Sequence, residues 1–378
     1  MFFFGCWNRD GCVEARPDYR AAVLAAVKAD GGGWSRWSRG LVAGDNIYPE
    51  KVDTGKTVYK RTLESGFRML MDVEVPVVVG LGNHDVECAD VLADMGNYNK
   101  NTLEVKDVGE SETFPRLYLI DTNRKDTDGW TDMIDGLATW LLRKSEDEWL
   151  FVMGHEPIMA LKQKKQKVCT DPLPQAGRLL QVMSTRRCVY LCADVHNFQV
   201  GAFHGPGAPH PVFQVVSGTG GASPDPMKAF FAESDVGESG WKLHQAASMQ
   251  PYGYCSLEIP STNKPLKVTY VMVASSEPDH NSDSSDSDES DSTQCGGFGF
   301  TLGWGGKVEM LDIGKEECRR VPNQPSDASC TPVDKASYEC NKGGALRGGG
   351  GRSKVGAAAS LGLLTLLCSA TGAWRAYT

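Results

Sequence analysis

Apolar residues in this chain fall in short unbroken runs separated by stretches that carry a helical stripe. Leu41 to Ala43, Val75 to Leu81, Leu117 to Ile120, Leu150 to Met153 and Val189 to Cys192 do not alternate with polar residues, the pattern of strands buried on both faces. A further strand is expected to begin at residue two. Between the runs, Pro17 to Asp30 has a proline-first start and helical apolar spacing. Leu63, Phe67 and Leu70 mark a second helical face, Met133, Leu137, Trp140 and Leu141 a third, and Ala176, Leu179, Leu180 and Met183 a fourth. The order strand, helix, strand, helix predicts a layered α/β body. From Val212 onward strands are separated by Gly and Pro turns, among them Tyr254 to Ile259 and Leu266 to Val273, so the second half is expected to be β-rich.

The chain continues differently after residue 275. Glu277 to Thr293 is Ser- and Asp-rich, and too polar for apolar burial to offset its ordering entropy; it reads as a disordered acidic loop or linker over 276–294. Lys307 to Ile313 has the pattern of a returning strand of the core. If it pairs with Leu266 to Val273, the acidic stretch is an insertion in a hairpin; otherwise it is a boundary. Residues 314–354 are rich in Gly, Pro and Cys without periodicity, and 355–374 form an uncharged apolar segment. That last segment reads as a weak membrane span, a lipid-anchor signal preceded by a small-residue spacer, or an uninformative tail.

Composition narrows the function classes. The 378 residues are 41% hydrophobic, enough for a sizeable core, and the net charge is −9. Glu277 to Asp291 holds seven acids and no base, so the acidity is local. No basic stripe is present, and a nucleic-acid partner is not expected. Twelve cysteines exceed the usual content of a cytosolic enzyme but are too few to replace a core. The four at Cys295, Cys318, Cys330 and Cys340 could form two bridges in an oxidising compartment. The N-terminus carries no signal peptide pattern, and a strand starting at residue two favours a truncated beginning. The expected location is the secretory pathway, extracellular or membrane-associated through the C-terminal tail, with the cytoplasm as the alternative.

Four segments place metal-ligand residue types directly after predicted strands: Gly44-Asp45-Asn46-Ile47-Tyr48, Gly82-Asn83-His84-Asp85, Gly154-His155-Glu156-Pro157 and Ala193-Asp194-Val195-His196-Asn197. Loops at the carboxyl ends of an α/β sheet are where sites form, and Asp, Asn and His supply oxygen and nitrogen donors to cations. In this order the blocks resemble the calcineurin-like metallophosphoesterases. Tyr48 makes the chain similar to their purple acid phosphatase branch, also described as tartrate-resistant acid phosphatase-like. GDNIY, GNHD and GHEP match that branch, as do Val216-Ser217-Gly218-Thr219-Gly220-Gly221 and Tyr252-Gly253-Tyr254, and the resemblance spans about residues 3–275.

The resemblance implies a four-layer α/β/β/α sandwich over 1–275 and two metal ions of iron, zinc or manganese, with phosphoric ester hydrolysis by metal-bound hydroxide. Asp45 would bridge the metals, Tyr48 would bind the first, and Asn83 and His155 the second. His84 would be the catalytic donor to substrate or leaving oxygen, and Asp85 would orient His84 or the loop. The substrate would be a phosphorylated small molecule or protein, most simply a phosphomonoester. Two positions depart from the branch's pattern. Cys6 in Phe4-Gly5-Cys6-Trp7-Asn8 stands where the first-metal aspartate is expected, and Asp194 stands where the last block has a histidine; His196 is kept. Thiolate and carboxylate both bind metals, and Asn8 adds an oxygen donor, so the preference of the site should change rather than its capacity.

Blander readings stand beside these. Cys6 could bridge to Cys12 or be a buried apolar residue. His204, His210, His244 and His280 lack ligand spacing and read as surface positions. Lys162 to Lys167 reads as a solvated loop or as an attractor of anionic substrate. A non-catalytic binding or cell-surface protein that kept the fold, and a phosphodiesterase acting on nucleotides or lipid head groups, are the rival functions.

Overall fold

The computed structural model describes residues 1–8, 19–30, 32–48, 50–51, 57–58, 69–70, 73–86, 107–108, 116–164, 167–225, 233–249, 252–260, 264–273, 297–303 and 307–311. These form a mixed α/β structure with two large mixed sheets. The seven-stranded sheet runs in the order Val308–Leu311, Gly297–Leu302, Leu266–Met272, Gly253–Glu258, Phe2–Phe4, Gly40–Val42 and Val77–Val79. The eight-stranded sheet runs Glu233–Asp235, Lys242–Met249, Phe198–His204, Val212–Ser217, Arg187–Cys192, Trp149–Met153, Arg116–Leu119 and Asp107–Val108.

Each sheet has a parallel part. Phe2–Phe4 pairs in parallel with Gly40–Val42, which pairs in parallel with Val77–Val79. In the other sheet Arg116–Leu119, Trp149–Met153, Arg187–Cys192 and Val212–Ser217 are successive parallel neighbours. These are the segments whose sequences run apolar without alternation, as strands covered on both faces require. Apart from the edge strand Asp107–Val108, the antiparallel remainder comes from the second half of the chain, where short turns can return a strand beside its predecessor.

Apolar side chains gather in three clusters. One takes residues from both sheets, including Phe3, Leu41 and Val268 with Phe151, Val189 and Phe198. A second joins Leu150, Val152 and Tyr190 to Trp130, Met133, Ile134 and Leu137 of the helix Asp128–Leu142, and to Leu179, Leu180 and Met183 of the helix Ala176–Met183. The third joins Phe2, Phe4 and Val42 to Val23, Leu24 and Val27 of the helix Tyr19–Asp30 and to Trp34 and Trp37. The buried positions of Asp128–Leu142 recur three and four residues apart, so one stripe faces the sheet and the opposite side meets water.

One pairing differs from the expectation. The strand beside Leu266–Met272 is Gly297–Leu302, and Val308–Leu311 lies one place further out, paired with Gly297–Leu302. Glycine at 297 and 299 lowers strand propensity and hides this strand from a reading of apolar runs. The helical face around Leu63 and Phe67, the acidic run Glu277 to Thr293 and the segments 314–354 and 355–374 lie outside the described residues, as does a second unit, Ala345–Thr378. Among the described residues no helix is long and apolar enough to cross a membrane.

Phe198, from the eight-stranded sheet, stacks on Tyr270 of the seven-stranded sheet with centroids 4.2 Å apart and planes 14° apart, and its ring lies 5.8 Å from that of Phe300. Phe198→Ala removes this contact between sheets and is expected to cost about 3–5 kcal/mol. Urea unfolding checks it; a midpoint unchanged from the parent would mean that the sheets do not depend on this stack.

Candidate metal centre

Cys6, Asp45, Tyr48, Asn83, His84, His155, Asp194 and His196 all lie on loops leaving the carboxyl ends of parallel strands, Cys6 to His84 from one sheet and His155 to His196 from the other. Backbone bonds hold the loops together, two between the sets and one within each. Gly5 N–H donates to Ser217 O (2.8 Å), Ala222 N–H to Cys6 O (2.8 Å), Cys6 N–H to Gly44 O (3.0 Å) and Ala193 N–H to His155 O (2.8 Å). The loops approach too closely for side chains at two glycines. A Cβ on Gly44, whose φ is +88°, would stand 2.7 Å from His155 Nδ1, and one on Gly82 would stand 2.2 Å from Asp45 Oδ1.

Asp45 is the hub. Its Oδ2 accepts from the Tyr48 hydroxyl (3.1 Å) and faces Cys6 Sγ (3.7 Å). Its Oδ1 faces His155 Nε2 (3.2 Å) and accepts from the His84 backbone N–H (3.2 Å). The two oxygens of one carboxylate therefore address two separate donor sets. His155 Nδ1 lies 2.6 Å from the Ala43 carbonyl, which fixes the proton on Nδ1 and leaves the Nε2 lone pair pointing inward. That lone pair meets Asn83 Oδ1 (3.0 Å), Asp45 Oδ1 (3.2 Å) and Asp194 Oδ1 (3.8 Å). Only a proton or a metal cation reconciles an imidazole nitrogen with three oxygen acceptors. Cys6, Asp45 and His155 each offer one ligand atom within 4.8 Å of the others, and all three are buried. Soft sulfur, carboxylate oxygen and imidazole nitrogen together suit zinc or iron.

His84 and Tyr48 sit ring to ring at 4.8 Å, and Tyr48 meets His196 edge-on at 6.4 Å. His196 turns Nδ1 to Ser223 O (2.8 Å), so its Nε2 is the nitrogen left for a ligand role. Asn83 is exposed, and His84, Asp194 and His196 are half-buried, so this side of the cluster reaches water while the Cys6 side does not.

Three of the four non-glycine residues with positive φ among the described residues are in the cluster: Cys6 (+49°), Asp45 (+52°) and Asp194 (+53°). A left-handed backbone at a non-glycine residue is disfavoured, and its repetition at three converging side chains is strain of the kind held at functional sites.

Burial raises the Cys6 thiol well above its ordinary value, with the charges of Asp45 and Asp194 adding to the effect. Burial likewise raises Tyr48, helped by Cys6 and Asp45. Both therefore bind a cation as anions only by giving up a proton, and loading should release protons. Burial lowers His196. Burial also works to lower His155, but the charges of Asp45 and Asp194 outweigh it and raise the imidazole.

Asp85 is turned away from the open side of the cluster. Its carboxylate is buried and accepts from Asn46 N–H (2.8 Å), Ile47 N–H (3.0 Å), Gly82 N–H (2.7 Å) and the Asn46 amide (2.8 Å). Those bonds tie the Asp45 loop to the His84 loop, making Asp85 a positioning residue. Asn8 is not a spare ligand: its amide donates to Asn46 O (2.7 Å) and its carbonyl accepts from the buried Arg20 (2.7 Å). Asn46 completes this web by accepting from Trp7 Nε1 (3.1 Å) and donating to Gly80 O (2.8 Å). Its place inside GDNIY gave no sign of that load.

No family model matches the sequence. No curated protein matches it either. Among solved structures, a chain titled "Structure of PhoD" is similar over 82% of this chain and 70% of its own, at 11% identity and a TM-score of 0.48. A likeness of that size decides nothing about chemistry, which rests on the residues of the centre.

Sequence patterning also passed over Asp225 and the specific place of Lys162. Asp225 Oδ2 accepts from the His196 N–H (3.0 Å) and pairs with Lys162 Nζ (3.1 Å). Asp225 lies in the sequence Pro-Asp-Pro with no ligand spacing, so only the fold brings it to His196.

Burial and the charge of Asp45 push the Asp85 carboxyl from 3.8 up to about 7. An acid with a raised folded pKa holds more protons folded than unfolded, so in metal-free protein its contribution to stability falls as pH rises from 3.8 to about 7. His155, raised above 6.5, acts in the same sense: its contribution is full below that value and is lost as pH climbs through the folded pKa. Chelated protein is therefore expected to unfold at lower urea near pH 8 than near pH 5, and the slope should shrink in His155→Gln. Equal slopes in parent and variant would remove the imidazole from this account.

Proposed function

We propose that this chain is a metal-dependent phosphoric ester hydrolase with the arrangement of a purple acid phosphatase-like phosphomonoesterase. The observation that carries the reading is the division of Asp45, one oxygen toward Cys6 and Tyr48 and the other toward His155. A carboxylate used this way suits a pair of cations, the first held by Cys6, Asp45 and Tyr48 and the second by Asp45, Asn83, His155 and Asp194, with His196 beside Tyr48 as a further ligand. The cluster of residues shared by both sheets, flanked by two clusters that include helices, supports the four-layer sandwich that goes with this site.

Cations held there would supply Lewis acidity, drawing charge from phosphoryl oxygens and making water a stronger acid. The chain's own groups do the rest. Asp85 fixes the two loops, so that Asp45 and His84 keep their spacing. His155 is locked in one tautomer by Ala43 O and presents Nε2 inward. His84 sits on the half-buried side beside Tyr48, where its ring can give a proton to the departing ester oxygen. In the net step the oxygen of water bonds to phosphorus, the bond from phosphorus to the leaving oxygen breaks, and that oxygen takes up the proton.

Elemental analysis of protein purified without chelator, run with hydrolysis of an aryl phosphate under zinc, manganese or iron, tests this directly. The expected result is about two metals per chain and turnover that depends on supply. His84→Ala should lower kcat by about 10²–10⁴-fold with metal retained. Asp45→Asn should lose metal. One metal or none, with no turnover under any supply, would leave a retained fold serving as a binding surface.

A further inference from the structure

Among the described residues, Lys162 stands out as a cation brought to the open side of this centre, within reach of the charges of Asp194 and Asp225. The exposure of the cluster is lopsided: the side chains of His155 and Asp45 are 0% and 2% exposed, whereas Asp194, Lys162 and Asp225 are 29%, 30% and 23% exposed. A substrate reaches the centre from that side. Among the described residues the ion pair of Lys162 is with Asp225, which itself holds the His196 backbone. An ammonium has three donors, so this pairing leaves donors for a further acceptor. Burial works to lower the Lys162 ammonium, but the charges of Asp194 and Asp225 outweigh it and hold it protonated.

The backbone leading to Lys162 is held as well. Gln199, buried, accepts from the Leu161 N–H (2.9 Å) and donates to Leu161 O (2.7 Å) and to Asn197 Oδ1 (2.7 Å). Gln214, also buried, accepts from Ile158 N–H (2.9 Å) and donates to Met159 O (2.8 Å). Two glutamines thus clamp the segment that runs from His155 to Lys162, and one of them also grips the residue after His196. A solvated lysine needs no such support. Preorganised placement of a cation beside a phosphoryl site lowers the cost of ordering it at the moment of binding.

We infer that Lys162 binds a non-bridging oxygen of the substrate's terminal phosphoryl group and so selects dianionic phosphomonoesters over monoanionic diesters. The inference rests on the phosphoesterase reading. A monoester carries one more negative charge than a diester, and a fixed ammonium at the entrance rewards that charge, whereas a diester places an esterified oxygen there, which is uncharged and a poorer acceptor.

Three measurements on metal-supplied full-length protein test it: kcat/KM for an aryl phosphate and for an alkyl aryl diester, affinity for inorganic phosphate by calorimetry, and metal content, each for the parent, Lys162→Met and Lys162→Arg. A charge-assisted bond of about 1.5–3 kcal/mol corresponds to a loss of roughly 10–100-fold in monoester kcat/KM and in phosphate affinity for Lys162→Met. The diester should change by only a few fold, metal content should hold, and Lys162→Arg should recover most of the loss. An equal fall for both esters, or phosphate affinity equal to that of the parent, would overturn the inference. Loss of metal from Lys162→Met would also overturn it, by showing that Lys162 acts through Asp225 and His196 instead. If the parent hydrolyses neither ester, the phosphoesterase reading fails, and the phosphate measurement still decides whether Lys162 binds the anion.

Discussion

The structure turns on a crowding of acids around one inward-facing imidazole nitrogen. Asp45, Asp85, Cys6 and Tyr48 are buried together, and the charge of Asp45 raises the pKa of each of the other three. Burial of unpaired charge is among the most costly arrangements a fold can hold, so without a cation Cys6 and Tyr48 keep their protons, and a bound cation would let them give those protons up. The local backbone is spent on the same arrangement, since Cys6, Asp45 and Asp194 each take a left-handed conformation that a side chain resists. Those three conformations make sense together if the converging side chains serve a cation.

The rest of the fold brings this crowding about and then contains it. Two parallel segments, one in each sheet, end on the same side, so loops from separate sheets meet outside their carboxyl ends. The cluster shared by both sheets keeps those ends in register, with Phe198 on Tyr270 as one of its contacts. Hydrogen bonding finishes what packing begins. Asp85 ties the Asp45 loop to the His84 loop, while Asn46, Asn8, Arg20 and Trp7 tie the first loop to the second. Each partner in that web is buried, so loss of one leaves others without a bond in a place water does not reach.

Much of this was legible from residues alone, and the reason is physical. Parallel strands covered on both faces must be apolar throughout, and helices lying on a sheet must carry a stripe, so Leu150 to Met153 and the Met133, Leu137 and Trp140 series announced themselves. The ligand types after those strands were visible because glycine, aspartate and histidine have few reasons to recur there. What escaped was whatever depends on long-range proximity. Gly297–Leu302 has two glycines and no apolar run, yet it is the neighbour of Leu266–Met272 because its partner strand supplies the template. The resemblance has Asp85 orienting His84 or the loop, but its partners Asn46, Ile47 and Gly82 are not visible in the sequence. Asp225 is 29 residues from His196 and meets it only after the chain has crossed the sheet and returned.

The two departures from the metallophosphoesterase pattern also bear on each other. An aspartate at 194 in place of a neutral imidazole adds a negative charge to the second donor set, on the side a substrate must approach. Uncompensated, that charge would repel a phosphate dianion, because the interaction of two charges a few ångströms apart near a protein surface is of order kcal/mol. Lys162 lies where its field meets Asp194 and Asp225 together, and the backbone of the preceding residue, Leu161, is held by Gln199. On the proposed reading the extra carboxylate and the ammonium would form one device: Asp194 would strengthen the hold on a hard divalent cation, and Lys162 would restore the attraction for the anion that the cation is to act upon. Cys6 stands apart from this exchange on the closed side, where a thiolate can soften the first donor set without meeting the substrate.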